Sequence, residues 1–320
     1  MAGKPKFKVL SIAGGGIRGI IPAIVLCEIE KRAKNRAAKL FDLIAGTSTG
    51  GILALGITKP HPGKPEPEFS AKDLVNLYEN EGESIFPGSL FNELRGWICT
   101  KYGCAGIEKV LNKYFQDTYL SKSITDVFIT SYETETRKPF FFDSKKAKKD
   151  IEYDFFMKDV ARSTSAAPTY FSPAYIKTAS TLGHYTLLDG GLYANNPAMC
   201  AYVEALKRFP ENDMDITLVS LGTGIMHHTL FYDKIKSYGK LGWARLIMDV
   251  VSDGINETVD YQLKKILPEN FYSFQVNLSD ASESMDDASV NNIQKLKVMA
   301  QELIYKEDKK LDSLIDILNS

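Results

Sequence analysis

The chain is poor in cysteine, and its few cysteines are not grouped. The four cysteines, Cys27, Cys99, Cys104 and Cys200, are scattered along the sequence and form no Cys-x-x-Cys pair. This spacing excludes a dense disulfide framework and disfavours a zinc site, and it is typical of free thiols in a reducing compartment. No metal ligand set is therefore expected from the cysteines.

Long apolar runs are also missing. The basic stretch Met1–Lys8 is followed by a mainly apolar run of only five residues, Val9–Ala13, which is too short for the core of a signal peptide. The longest run, Ile20–Cys27, contains a proline and is too short to cross a bilayer. We therefore expect a cytoplasmic protein that meets a membrane only peripherally, at its surface.

The chain also lacks a large net charge of either sign. The 320 residues carry a net charge of −1, so no global field attracts a nucleic acid polymer. A hydrophobic content of 44% is ordinary for a globular protein and is enough for one large domain or two. The basic loop 145–149 is the local exception, and it is either solvated or a site for anionic headgroups.

The most informative stretch that is present is Gly46–Gly50, a Gly-x-Ser-x-Gly sequence between the apolar runs Phe41–Ala45 and Gly51–Leu55. This order predicts a strand, a sharp turn and a buried helix, with the serine exposed at the apex of the turn. Gly46 and Gly50 permit the strained backbone of such a turn. Ser48 is therefore the candidate nucleophile.

A glycine-rich loop, Gly14–Gly19, follows a predicted first strand, Phe7–Ala13, and precedes a helix from Ile20 to about Ala38. The loop matches Gly-x-Gly-x-x-Gly, but the second strand lacks the acidic residue that a dinucleotide site requires at its far end. We favour an oxyanion hole, with the N–H groups of Gly15 and Gly16 aimed at the substrate. Gly14 and Arg18 are assigned to the same oxyanion hole and Gly19 to the loop motif, and for Arg18 we favour a structural role over contact with an anionic headgroup.

The base is the next requirement, and a histidine is the usual choice. None of the four histidines, His61, His184, His227 and His228, lies in a convincing turn at a strand end. Asp189 is better placed, because it follows the predicted strand Tyr185–Leu188 and precedes Gly190 and Gly191. Two alternatives remain: a Ser-His-Asp esterase that uses one of the histidines, and a non-catalytic lipid-binding module.

Three motifs in chain order, Gly14–Gly19, Gly46–Gly50 and Asp189–Gly191, resemble those of the patatin-like phospholipase family, of the bacterial acyl hydrolase type. The stretches Phe41–Ala45 and Ser163–Pro168 also look like the family. The resemblance covers about residues 7 to 225. One departure is Ala13, where the family often carries an aspartate.

The resemblance implies an α/β fold, a three-layer α/β/α sandwich with a mostly parallel central sheet. It implies a catalytic domain at residues 5–228 and a mainly helical extension at 229–320. It further implies a calcium-independent lipid acyl hydrolase without a cofactor, in which Asp189 activates Ser48 directly. We predict a raised pKa for Asp189, since an ordinary carboxylate is a weak base.

The family resemblance also implies partners. A phospholipid or related lipid ester is the expected substrate, with transient contact at a membrane surface. Some bacterial relatives are activated by a small nucleotide signal, so such regulation is included as an expectation. The oligomeric state is left open by the sequence.

Periodicity predicts the remaining elements. An aromatic stretch at 85–98 is either packed on the core or a mobile, lipid-facing flap. The predicted helices are Ala71–Glu81, Gly106–Tyr119, Asp159–Ala167, 198–209 and about Ala288–Leu318, and the further strands are Asp126–Ser131, Lys138–Phe142, Ile216–Leu221 and Tyr272–Leu278.

Overall fold

One mixed sheet organises the computed structural model, which describes residues 5–87, 100–179, 183–209, 214–225, 229–282 and 284–320. The strands of this sheet are β1 (Lys6–Ile12), β2 (Leu43–Gly46), β3 (Asp126–Glu133), β4 (Lys138–Asp143), β5 (Ala174–Lys177), β6 (His184–Asp189), β7 (Asp215–Leu221) and β8 (Phe271–Phe274).

The sheet runs in the order β5-β6-β3-β2-β1-β7-β8, and β4 pairs with β3. The five strands from β3 to β8 along this order are parallel to their neighbours, whereas β4, β5 and β6 are antiparallel additions at one side. Parallel strands are covered on both faces, which explains why β1 and β7 read as nearly continuous apolar runs. Strand β5 has no counterpart among the predicted elements.

Nine helices longer than one turn lie in the described part of the chain. They are α1 (Ile20–Ala33), α2 (Thr49–Thr58), α3 (Ala71–Ile85), α4 (Ala105–Phe115), α5 (Met157–Thr164), α6 (Ala198–Arg208), α7 (Lys240–Ile266), α8 (Val290–Lys306) and α9 (Asp308–Asn319). Single turns of helix occur at Gly16–Gly19, Ala37–Leu40, Leu120–Lys122, Ser144–Ala147, Ile151–Tyr153, Gly191–Ala194 and Tyr232–Ile235.

Alternate residues of β1 pack into two different clusters, one on each face of the sheet. Leu10 and Ile12 contact the larger cluster, which includes α1, α2, α3, α8 and α9. Phe7 and Val9 contact the smaller cluster, where α6 and the end of α7 pack. Because side chains of a strand point alternately to opposite faces, these clusters are the two helix–sheet interfaces of a three-layer α/β/α sandwich. The predicted fold class is confirmed.

Residues after 228 share this sheet and core. Strand β8 extends the sheet beside β7, and Leu296, Leu303, Leu311 and Leu314 lie in the larger cluster. The part after residue 228 therefore packs continuously with the part before it. The division into a catalytic domain and an extension stays a prediction.

Two predicted helices are wrong in extent. The first helix ends at Ala33, because Lys34 adopts a left-handed backbone with φ of 52°. The predicted helix 288–318 is two helices, which meet at Glu307. This break allows Asp308 and Asp312 each to contact the Arg32 guanidinium at 2.7 Å.

None of the described helices is both long enough and apolar enough to cross a membrane. In the predicted aromatic flap, residues 88–98 lie outside the described part of the chain. Phe86, at the end of α3, packs with Tyr102 and Phe171 at ring-centroid distances of 5.8 and 5.9 Å.

Candidate active site

Ser48 lies at the turn between β2 and α2 with a strained backbone. Its φ of 55° and ψ of −125° are unfavourable for a residue with a side chain. A Cβ at Gly46 would lie 2.3 Å from the Gly50 carbonyl oxygen, and one at Gly50 would lie 2.1 Å from that of Ile12. The close approach of these backbones therefore requires both glycines. The Ser48 N–H donates to Thr164 Oγ1 at 2.8 Å, which fixes the turn.

Asp189 ends β6 and is buried, with 5% of its surface exposed. The Gly191 N–H donates to its Oδ1 at 2.7 Å. Burial raises the pKa of the Asp189 carboxyl to about 7, although the hydrogen bonds from Gly191 and the Ser48 hydroxyl act in the opposite direction. The predicted direction of this pKa shift is confirmed. A Cβ at Gly190 would collide with Thr130, so the turn after Asp189 needs glycine there.

The glycine loop places two free donors beside Ser48. The Gly14 N–H already donates to the Asn195 carbonyl at 2.9 Å, so this predicted oxyanion-hole residue serves as a support and not as a donor. Within the described residues, the N–H groups of Gly15 and Gly16 have no acceptor. Both residues line the same cavity as Ser48. They are the two candidate donors to an oxyanion.

Arg18 and Gly19 shape the loop from behind. The Arg18 side chain is buried and its Nε donates to the Gly15 carbonyl at 3.4 Å, in agreement with a supporting role. A Cβ at Gly19 would lie 2.3 Å from Thr49 Oγ1 and 2.5 Å from the Tyr78 hydroxyl oxygen, so α2 and α3 approach the loop closely.

A cavity of about 670 Å³ opens above these groups. Ser48, Asp189, Gly15 and Gly16 line it together, and other polar side chains, such as Lys101 and Asn195, also reach its wall. The remaining wall is mainly apolar and includes Ile17, Ile52, Leu77, Ile85, Ile107 and Phe171. An apolar cavity with a few converging polar groups is typical of a ligand site.

The two described histidines do not line this cavity. His184 is at the far end of β6 from Asp189, where its Nε2 lies 3.0 Å from Glu135 and its ring stacks on Tyr175. His61 accepts a hydrogen bond from the Gly63 N–H. Neither lines the cavity. His227 and His228 lie outside the described residues.

Several residues that support the site were not predicted. The Thr223 hydroxyl donates to the Gly14 carbonyl at 2.6 Å, and the Met285 carbonyl accepts from the Ile17 N–H at 2.8 Å. The small residues of Ser163–Pro168 predict close packing against a turn, but not the specific acceptor Thr164. No local pattern indicates Met285, because it acts through its backbone from a distant part of the chain.

No group of three or more His, Cys, Asp or Glu side chains is arranged to hold a metal ion within the described ranges. The polar groups that meet at Ser48 are its hydroxyl, the Asp189 carboxyl and the backbone N–H groups of Gly15 and Gly16. This set fits acyl transfer, in which the serine attacks, the carboxylate accepts a proton and the amides stabilise an oxyanion.

Comparison with known proteins agrees with this chemistry. The family model of patatin-like phospholipases matches residues 10–202. Patatin-07 of Solanum tuberosum is 32% identical over 330 residues, which cover 93% of this chain and 83% of that protein. Patatin-05 of the same organism is 32% identical over 328 residues, with 93% and 84% covered. The chain therefore belongs to the patatin-like phospholipase family, and at the level of the family it is a lipid acyl hydrolase.

One solved structure and one further sequence relative also match this chain. The crystal structure of VipD from Legionella pneumophila aligns with a TM-score of 0.43 and 14% identity, over 97% of this chain and 67% of that one. The Solanum tuberosum protein named "Probable inactive patatin-3-Kuras 1" is 32% identical over 327 residues, with 93% and 86% covered. Because that relative is as similar as the others, turnover has to be argued from the residues of the site.

Proposed function

We propose that this protein hydrolyses acyl esters of glycerophospholipids through Ser48 and Asp189, with an acyl-enzyme intermediate and without calcium. One observation carries the proposal. The Ser48 hydroxyl interacts with a buried carboxyl whose pKa is about 7, at the polar end of an apolar cavity. A pKa near neutrality lets the carboxyl exist as a base and later return the proton as an acid.

The reaction follows from these positions. Ser48 Oγ attacks the ester carbonyl carbon while the Asp189 carboxylate takes the hydroxyl proton. The tetrahedral intermediate collapses to an acyl-serine, and Asp189 returns the proton to the leaving alcohol. A water molecule, deprotonated by Asp189, then attacks the acyl-serine, and the fatty acid leaves as Ser48 recovers its proton.

The N–H groups of Gly15 and Gly16 supply the oxyanion stabilisation. Removal of one such donor in comparable sites costs roughly 3–4 kcal/mol of transition-state stabilisation. We propose calcium independence because these amides perform the electrostatic role that a metal ion would otherwise have. Addition of a calcium chelator to the purified protein should leave hydrolysis unchanged, and a loss of turnover that calcium restores would contradict this part.

The mainly apolar wall of the cavity suits a fatty acyl chain, and we propose that this chain is the part of the substrate that the cavity binds. Each methylene that leaves water for an apolar wall contributes about 0.8 kcal/mol. Substrates with longer acyl chains should therefore show higher kcat/KM until the cavity is filled. The polar headgroup remains at the opening, where the choice among phospholipids is made.

The central experiment is product analysis by mass spectrometry on mixed phospholipid vesicles, with the wild-type protein and Ser48→Ala. We expect free fatty acid and lysophospholipid from the wild type only. An organophosphonate should label Ser48 and no other serine. Absence of both labelling and product would favour a lipid-binding module over an enzyme.

A second set of variants separates the dyad from a histidine-based esterase. Asp189→Asn should abolish hydrolysis, whereas His184→Ala and the double change His227→Ala, His228→Ala should retain it. The opposite pattern would replace the dyad with a triad. Activation by a small nucleotide stays a prediction, which addition of nucleotides to the same assay tests.

A further inference from the structure

Helix α7 and the turn before it carry large apolar side chains that face solvent. Their exposed fractions lie between 36% and 75%. Within the helix, these residues follow a spacing of four and three, which places them on one face. We call this set the apolar face: Phe231, Tyr232, Trp243, Ile247, Val250 and Val251.

The same helix forms part of the wall of the catalytic cavity. Ser252, nine residues after Trp243, lines that cavity. At 3.6 residues per turn, this separation places the two side chains on opposite sides of the helix. Val259 and Leu263, further along, are buried in the smaller core cluster. The helix therefore stands between the cavity and the apolar face.

The charge of this segment differs from that of the whole chain. Residues 229–251 contain four basic and two acidic residues, a net charge of +2, whereas the whole chain has −1. Lys236 borders the apolar face, with its Nζ 5.6 Å from the centre of the Tyr232 ring; it pairs with Asp233 at 2.6 Å, and its side chain is 49% exposed. Apolar and aromatic side chains together with local positive charge are typical of helices that lie in the interface of an anionic membrane.

We propose that the apolar face is the surface by which this protein docks on an anionic lipid bilayer, with α7 lying along the interface. The proposal rests on the proposed function, because a lipid substrate must reach the cavity behind this helix. Docking would bury the apolar face among acyl chains and headgroups, and would leave the thickness of one helix, about 10 Å, between the lipid and the cavity wall at Ser252.

The basic loop 145–149 is a weaker candidate for membrane contact. Lys148 pairs with Asp126 at 2.9 Å, and Lys146 lies over the Tyr153 ring. Asp126 begins β3, whereas Ser48 follows the carboxyl end of β2, which is parallel to β3, and Asp189 pairs with Ser131, five residues further along β3 than Asp126. Docking through this loop would place the lipid at the opposite edge of the sheet from the cavity.

The test measures binding without turnover, in full-length protein that carries Ser48→Ala. Its probes are vesicles of phosphatidylcholine alone and of phosphatidylcholine with an equal part of phosphatidylglycerol. The added changes Trp243→Ser, Ile247→Ser and Val250→Ser should weaken flotation with the mixed vesicles by at least about tenfold, because three apolar side chains no longer enter the lipid. Vesicles without the anionic lipid should bind the parent protein more weakly.

A matched control has three changes at exposed apolar residues on other helices. Val203→Ser, Val298→Ser and Tyr305→Ser alter side chains that are 54%, 51% and 87% exposed. This variant should bind vesicles like its parent. Equal loss of binding in both triple variants would overturn the proposal, since the effect would then be general hydrophobicity.

Trp243 offers a direct measurement of insertion. The chain has two tryptophans, so Trp97→Phe leaves Trp243 as the single reporter. Its fluorescence should shift to the blue and be quenched by brominated lipids when mixed vesicles are added. An unchanged spectrum at vesicle concentrations that bind the protein would show that another surface docks.

Hydrolysis assays distinguish failure of this proposal from failure of the proposed function. With Ser48 intact, the Trp243, Ile247 and Val250 changes should reduce hydrolysis of vesicle phospholipid and leave that of a soluble short-chain ester unchanged. If the wild type hydrolyses neither, the proposed function fails, while the binding measurements still judge docking. If the changes instead dissociate a dimer and spare vesicle binding, the face is a contact between copies, and docking is overturned.

Discussion

Asp189→Asn is the most decisive change for the proposed base, because it removes the charge and keeps the shape of the side chain. The pKa of this carboxyl is raised from 3.8 to about 7 by burial. Only the ionised form accepts the Ser48 proton. At pH 6 the kcat/KM of the wild type should therefore be about one-tenth of its plateau, which is reached above pH 8. Asp189→Asn should be inactive at every pH.

The same pKa shift predicts an effect on stability. Between pH 4 and pH 7 the folded protein holds a proton on Asp189 that the unfolded chain has released, so the free energy of unfolding falls as pH rises through this window. Each pKa unit corresponds to about 1.36 kcal/mol, and the shift from 3.8 to about 7 thus lowers stability by roughly 4 kcal/mol at pH 8. Asp189→Asn has no charge to bury and avoids this loss.

Urea unfolding from pH 4 to pH 8 measures the predicted difference. Asp189→Asn should be more stable than the wild type at pH 8, and the gap should close toward pH 4. Asp126→Asn is the matched control, because Lys148 and Arg208 lower the pKa of Asp126 despite its partial burial. Asp126→Asn should be less stable than the wild type at pH 8. Equal stability of Asp189→Asn and the wild type at pH 8, or a flat pH profile of kcat/KM, would refute the reasoning.

Three further changes test the supports of the site. Gly16→Ala should lower kcat at least about 100-fold, because φ is +58° and the new Cβ would lie 2.1 Å from the Met285 carbonyl oxygen. Gly63→Ala is the control: its Cβ would meet no atom within 4 Å, so kcat in the same ester assay should be unchanged. Thr164→Val should lower both kcat and the melting temperature, since the Ser48 N–H loses its acceptor, and Thr164→Ser should restore them. His184→Ala should leave both kcat, measured at saturating ester, and kcat/KM, measured at low ester, unchanged, because its ring pairs with Glu135 and does not line the cavity.

The parallel centre of the sheet is predictable from the sequence because burial on both faces leaves a simple pattern. Strand β1, for example, differs by one residue at each end from the predicted Phe7–Ala13. The turn at Ser48 is equally predictable, since only glycine tolerates the contacts at positions 46 and 50. In these places local chemistry and global fold require the same residues.

Other parts depend on contacts between distant segments and could not be predicted. Strand β5 has four residues that alternate between buried and exposed, which is too short a pattern to recognise. The Gly14 N–H donates to the carbonyl of Asn195, which is 181 residues away in sequence, so its role as a support could not be predicted. The break at Glu307 follows from packing against α1 and not from a helix-breaking residue, so helical periodicity alone passes through it.

Among the residues that the structure describes, no histidine lines the cavity of Ser48, and this has a physical counterpart in the surroundings of Asp189. In a triad, a carboxylate orients the histidine, and the histidine accepts the proton. Here the Gly191 N–H orients the carboxyl at 2.7 Å, and burial supplies the basicity that an exposed carboxylate lacks. In the proposed dyad, one backbone hydrogen bond and the burial of the carboxyl thus take over the orientation and the basicity that a triad divides between two residues. Burial of the ionised carboxyl lowers the free energy of unfolding, and this loss is full only above pH 7, where Asp189 is ionised and can act as a base.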